Sequence, residues 1–358
     1  MKCSAFCGFD GALECRYKLG VTFFFMSKPA CPECTMAGDA LRQSAATDSS
    51  HFVRALGRRF LQVLPMKFLI ALWLTTAVCA HAAHPFICCD HNGGKVCVVS
   101  DSGTIQWEFQ CRSPQDCWQL PNGNYLFCFA TGAMERTSGH KTVWEYKAPE
   151  KVEVHACQPL PDGRVMVVEG GTSRIVEVDR EGKVAKEIKL KTDPAIHLHN
   201  QFRGTRKTAN GHYLVCFKGE GKIVELDGDG KTVRELKVPG DPHEVVALPD
   251  GHLLITCGDA HKVIELDRDG KSVWELNELD LPGNTLRLMA GCQRLPNGNT
   301  VFCNYLGHGH IGEQPQFFEV TRDKKVVWQF DDHAHFKTIN QIQLLDVKGD
   351  VTRGEILR

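Results

Sequence analysis

Five tetrapeptides of one kind punctuate the chain: Leu-Pro-Asn-Gly at 120–123, Leu-Pro-Asp-Gly at 160–163, Thr-Ala-Asn-Gly at 208–211, Leu-Pro-Asp-Gly at 248–251 and Leu-Pro-Asn-Gly at 295–298. Their glycines stand 40, 48, 40 and 47 residues apart, the period of a propeller blade rather than of a helical solenoid. Asn-Gly and Asp-Gly between apolar runs predict hairpin turns of type I′, the geometry with φ > 0 at both central residues. Each tetrapeptide therefore joins two antiparallel strands.

The rest of the unit follows the same logic. After each turn comes an apolar run such as "YLFCFA", "RVMVVEG" or "HYLVCFKG", then a half-exposed alternating stretch such as "SRIVEVDREGK" or "HKVIELDRDGK" that ends in an Asp-x-x-Gly turn. A closing run ("TIQWEF", "TVWEYK", "SVWELN", "KVVWQF") completes four strands. Trp107, Trp144, Trp274 and Trp328 occupy one position in that closing strand and are expected to pack between neighbouring sheets.

Five turns leave a loose end at each side. "PFICCDHNGGKVCVVSDSGTIQWEF" supplies the second to fourth strands of a unit, and "TINQIQLLDVKGD" supplies a first strand. Joining them predicts an all-β, six-bladed propeller over residues 86–348, closed by both ends of the chain so that no sheet edge is left open. Residues 349–358 then form a tail that runs along the N-terminal strand or trails from it.

Upstream, "MKFLIALWLTTAVCAHAAHP" begins at Met66 with a lysine, an apolar stretch and a small-x-small site at Ala80-His81-Ala82. It reads as a secretory signal peptide at 66–82, too short for a membrane span. Export to the periplasm or the extracellular space is expected, and residues 1–65 read as a mis-assigned or disordered extension. A net charge of -1 without a basic stripe argues against nucleic acid or an anionic membrane as partner. Nothing in the sequence calls for an oligomer, and a monomer is expected. Of 17 cysteines, those inside apolar runs read as small buried hydrophobes, while Cys111 and Cys117 flank a turn and are candidates to pair in an oxidising compartment.

In a propeller the first strand of each blade lines the central channel. Counting back equally from each turn places Gln115, His155, Arg203, His243, Ala290 and Asn340 at equivalent lead positions around one mouth. Two imidazoles and a guanidinium from successive blades make an anion site, and a histidine there can serve as acid, base or nucleophile. His155 and His243 are the catalytic candidates. Arg203, His197, His199, Arg287, Asn340 and Gln115 are the ligand-binding candidates, the ligand being a small anion or a glycan. No spacing of strict metal-ligand type appears, so no metal is assigned, and the cofactor is left unknown.

"LPNGNYL" followed by Asp-x-x-Gly-Lys-x-Val-Trp-Glu resembles the blades of bacterial aryl-sulfotransferases and, more distantly, of PQQ-dependent quinoproteins, across residues 86–348. The first resemblance implies a periplasmic protein with a histidine nucleophile in its channel and further histidines and an arginine on the sulfuryl group, for which His155, Arg203 and His243 are the matching residue types. Ala156 and Glu244 stand where that family has aspartate after the histidine. The alternatives are a non-catalytic scaffold for protein or polysaccharide and a PQQ-like redox protein.

Overall fold

The computed structural model describes residues 84–358 and one antiparallel pair of two-residue strands, Phe6–Cys7 and Leu13–Glu14. Apart from that pair, the expected extension at 1–65 and the signal peptide at 66–82 lie outside the described residues.

Six four-stranded antiparallel sheets follow one another around a ring. Blade 1 comprises Pro114–Gln119, Tyr125–Phe129, Gly132–Arg136 and Thr142–Lys147. Blades 2 to 5 repeat the order, with inner strands Glu153–Pro159, Phe202–Lys207, Glu244–Ala247 and Leu288–Arg294. Blade 6 takes its inner strand, Ile339–Leu344, from the end of the chain and its other three, Phe86–Asp90, Lys95–Val99 and Ile105–Gln110, from the beginning. Each inner strand touches those of both neighbouring blades, and the circuit closes between blades 6 and 1.

The tetrapeptide turns are not type I′. In Leu160–Arg164 the amide of Gly163 bonds the carbonyl of Leu160, and only Gly163 has positive φ. Pro161 locks its own φ negative, so the chain makes a type I turn and places the glycine in the left-handed region as a G1 bulge.

Burial is divided among six wedges, one per blade interface, rather than gathered in one core. Cys97 and Phe86 of blade 6 pack with Phe317 and Trp328 of blade 5, for example, and Trp144 and Leu126 of blade 1 with Val165 and Val176 of blade 2. The closing-strand tryptophans reach across as expected: Trp144 Nε1 donates to the Asp179 carbonyl of blade 2 at 2.7 Å, and Trp274 Nε1 to that of Arg322 in blade 5 at 2.7 Å. Inner-strand glutamines add polar ties; Gln158 accepts from and donates to the backbone of Lys207, and the side-chain oxygens of Gln293 and Gln343 accept from the amides of Leu344 and Gln119.

Two expectations are corrected. Cys111 and Cys117 are both free thiols, Cys117 fully buried beneath blade 6. The tail does not follow the N-terminal strand: Val351 and Ile356 bury themselves in the wedge between blades 1 and 2, Leu357 bridges to Arg294, and the Arg358 side chain enters the axis. Apolar side chains and a partner for a buried carboxylate draw it inward, features that strand periodicity does not report.

Candidate functional site

The lead positions are sites of local irregularity. Register shifts fall between Pro114 and Asp116, Val154 and Ala156, Phe202 and Thr205, Met289 and Cys292, and Ile339 and Gln341. The residues skipped include Gln115, His155, Arg203, Ala290 and Asn340. A bulge leaves one residue out of the ladder and re-aims its side chain, here toward the axis. In blade 4 His243 stands just before the strand and donates its amide to the Thr256 carbonyl at 2.9 Å. The adjoining residues are small where space demands it: a Cβ on Gly204 would lie 2.4 Å from Glu244 Oε1, and one on Gly291 would lie 2.0 Å from Gln341 Oε1.

The result is one cavity of about 80 Å³ at the mouth of the channel, lined by Gln115, His155, His199, Arg203, His243 and Asn340 among others. A single water needs on the order of 10–15 Å³ on the same measure, so the space holds several waters or a small ligand. Two sequence candidates lie elsewhere. His197 is exposed, its ring accepting from the His199 amide. Arg287 is answered by Glu313 at 3.3 Å and Glu278 at 4.0 Å.

Arg203 is 8% exposed, and among the described residues no carboxylate oxygen lies within 4.0 Å of it. Its Nη1 donates to the carbonyls of His199 and Phe202, and Nη2 to His199 Nε2 at 3.1 Å. Burial lowers its pKa to about 10, only partly offset by the more distant Glu153 and Asp241.

The surrounding imidazoles are held neutral. Because Arg203 can only donate, His199 accepts on Nε2 and carries its proton on Nδ1, which donates to Glu153 Oε2 at 2.7 Å. Burial and the Arg203 charge lower its pKa. His155 is buried, and burial and Arg203 push it down to about 3. Its Nε2 is 3.2 Å from Glu153 Oε2, and neither ring nitrogen has a hydrogen-bond partner among the described residues. His243 donates from Nδ1 to the Asp241 carbonyl at 3.0 Å, which leaves Nε2 as an unprotonated acceptor on the cavity. Burial, Arg203 and Lys218 hold it well below the usual imidazole range.

Lys218, Tyr305 and His91 also line the cavity without having been candidates, and so does His308, which the sequence reads as a loop residue. Lys218 and Tyr305 stand at one offset past the turn glycines Gly211 and Gly298, where the second strand returns to the mouth; counting forward as well as back would have found them. Lys218 Nζ donates to Asn200 Oδ1 at 2.9 Å and is 3.8 Å from Asp241, so it supplies a second cation. For a metal, the ligand atoms of Glu153, His155 and His199 lie within 4.8 Å of one another. The Arg203 guanidinium on His199 opposes a cation there.

The family model for Mal s 1 allergenic protein-like proteins matches residues 96–308. No curated protein matches the sequence. Among solved structures, a protein of unknown function from Bacteroides caccae is similar at 29% identity with a TM-score of 0.67, over 73% of this chain and 98% of its own. A streptogramin B lyase is similar at 14% identity and a TM-score of 0.53, over 74% and 94%. A chain of a nidogen/laminin complex is similar at 10% and 0.54, over 72% and 97%. The last two likenesses concern the fold alone.

Proposed function

The chain belongs to the Mal s 1 allergenic protein-like family, and from that premise we propose that its channel mouth binds a small anionic ligand on Arg203. The observation that carries this reading is a buried guanidinium with no carboxylate partner among the described residues, set beside His155, His199 and His243, whose lowered pKa values keep them from competing as cations. Buried charges in proteins are paired, and a cation left without its counter-ion carries a desolvation cost of several kcal/mol. A carboxylate, sulfate or phosphate group answers that need, with Lys218 as second cation and Asn340 and Gln115 on the opposite wall. Calorimetric titration with sulfate, phosphate and glucuronate tests it. Wild type binds at least one, and Arg203→Ala weakens it at least tenfold; equal affinities remove the site.

Transfer chemistry is a second reading, favoured by His243. Its tautomer is fixed by a backbone carbonyl, so Nε2 presents a lone pair beside the anion site, as a nucleophile or general base requires. With an aryl sulfate as donor, Nε2 would bond the sulfur as the S–O bond breaks and the phenolate leaves; a second phenol would then take the sulfuryl group as the N–S bond breaks, releasing its hydroxyl proton to water. Incubation with 4-nitrophenyl sulfate and phenol reads this out as nitrophenolate release, abolished in His243→Ala; no release from wild type removes the chemistry and leaves binding standing.

Among the described residues no helix is long and apolar enough to cross a membrane. Export through the segment at 66–82 belongs to the same proposal, and N-terminal sequencing of the mature protein checks it.

A further inference from the structure

Below the mouth lies a second, fully buried layer of charge that the ligand reading does not use. Asp116, Arg206, Glu244, Gln341 and Arg358 come from blades 1, 3, 4 and 6 and from the tail, and none is more than 4% exposed. Arg206 bridges two carboxylates, with Nη1 2.8 Å from Asp116 Oδ2 and Nη2 2.9 Å from Glu244 Oε2. Gln341 Nε2 donates to the same Glu244 oxygen at 2.7 Å. Arg358 reaches Asp116 from the other side, Nη2 to Oδ1 at 3.0 Å, donates from Nη1 to the Cys117 carbonyl, and lies 3.9 Å over the Trp118 ring. Its own carbonyl accepts from Arg206 Nε at 3.1 Å.

Glu244 and Gln341 are also part of the cavity lining. The tail approaches from the opposite side, since Thr352 lines one surface cavity together with the turn residues Pro121, Asn122 and Pro161, and the Leu357 carbonyl accepts from the Arg294 amide at the turn end of its strand. We propose that Arg358 is a positioning residue for the mouth: it closes the channel from the turn face and neutralises Asp116, so that Arg206 is left to hold Glu244 in the floor of the cavity.

The charge count gives the consequence. Among these side chains, Asp116 and Glu244 carry two negative charges and Arg206 and Arg358 two positive ones. Removing the Arg358 guanidinium leaves these side chains with one negative charge in excess directly under the site. Arg206 must then serve Asp116 and Glu244 without help, and the floor turns against anions. Carboxylates left short of a partner in a dry interior are costly, and the effect on the mouth is electrostatic rather than a matter of contact.

This inference rests on the anion-site reading for its binding arm, and its test separates the two. Arg358→Met keeps a side chain of similar length and removes the guanidinium, and with it both the charge and the contact over Trp118; Asp116→Asn combined with it restores neutrality. With inorganic sulfate as probe, the single variant is expected to bind at least tenfold more weakly than wild type, and the double variant to recover to within threefold. A single variant that binds like wild type, or a folded double variant no better than the single, overturns the proposal. If the single variant fails to fold, the double must fold and bind, and its failure is equally decisive. If wild type binds no sulfate, phosphate or glucuronate takes its place as the probe, and if it binds none of the three the anion reading has failed instead. Labelling of Cys117 by N-ethylmaleimide then decides: at least tenfold faster in Arg358→Met at matched global stability supports the plug, and equal rates overturn it.

Discussion

His155 offers the sharpest quantitative consequence of this site, because its burial without a partner must be felt as acid sensitivity. Its pKa in the fold is about 3 against 6.5 for the free side chain, through burial first and the Arg203 charge second. Between those two values the unfolded chain binds a proton that the folded one refuses, so stability falls as pH falls through 6.5 toward 3. At pH 5 the loss attributable to this one ring is about 2 kcal/mol relative to pH 7.5, from 1.36 kcal/mol per pKa unit. Urea unfolding of wild type and His155→Gln at both pH values isolates it: the stability gap between them should shift by about 2 kcal/mol in favour of the variant on acidification. Sulfate bound on Arg203 should shrink that shift by removing part of its cause. A gap that stays constant between pH 7.5 and pH 5 would refute the reasoning, since it would mean that the ring is hydrated or paired.

Other consequences are local and direct. Gly291→Ala drives a Cβ into the Gln341 amide, with the Asn340 carbonyl 3.1 Å away, and should cost about 1–3 kcal/mol in chemical denaturation. Trp144→Phe keeps most of the wedge between blades 1 and 2 but leaves the Asp179 carbonyl without its indole donor; a loss of about 1 kcal/mol is expected, and a midpoint unchanged within error would place that carbonyl in water. Gln158→Ala unpairs both backbone groups of Lys207, and hydrogen exchange at the Lys207 amide should quicken relative to blades 5 and 6.

The strand order, the blade count and the shared sixth blade were legible in the chain because turn chemistry and apolar alternation are local and repeat. The lead positions were legible for the same reason: a fixed offset from a turn becomes a fixed height on the channel wall. Gln115, His155, Arg203, His243 and Asn340, and beside them His199, do line one cavity. His197 and Arg287 are not among the residues that line it; they sit in connections longer than those of the other blades, where counting has no frame. The count from the turns overlooked Lys218 and Tyr305 because only the outgoing side of each hairpin was counted. The type I′ reading failed for a reason present in the letters themselves, the proline before Asp162.

What the sequence determined, then, is the ring and the roster of groups at its mouth, since both follow from repetition. Only the tertiary structure decided their chemical state: which imidazole nitrogens carry protons, that Arg203 lacks a carboxylate partner among the described residues, and that Arg358 completes a charge layer beneath it. Those properties depend on distances between side chains far apart in sequence and on the water excluded around them, and neither quantity is written in any single repeat.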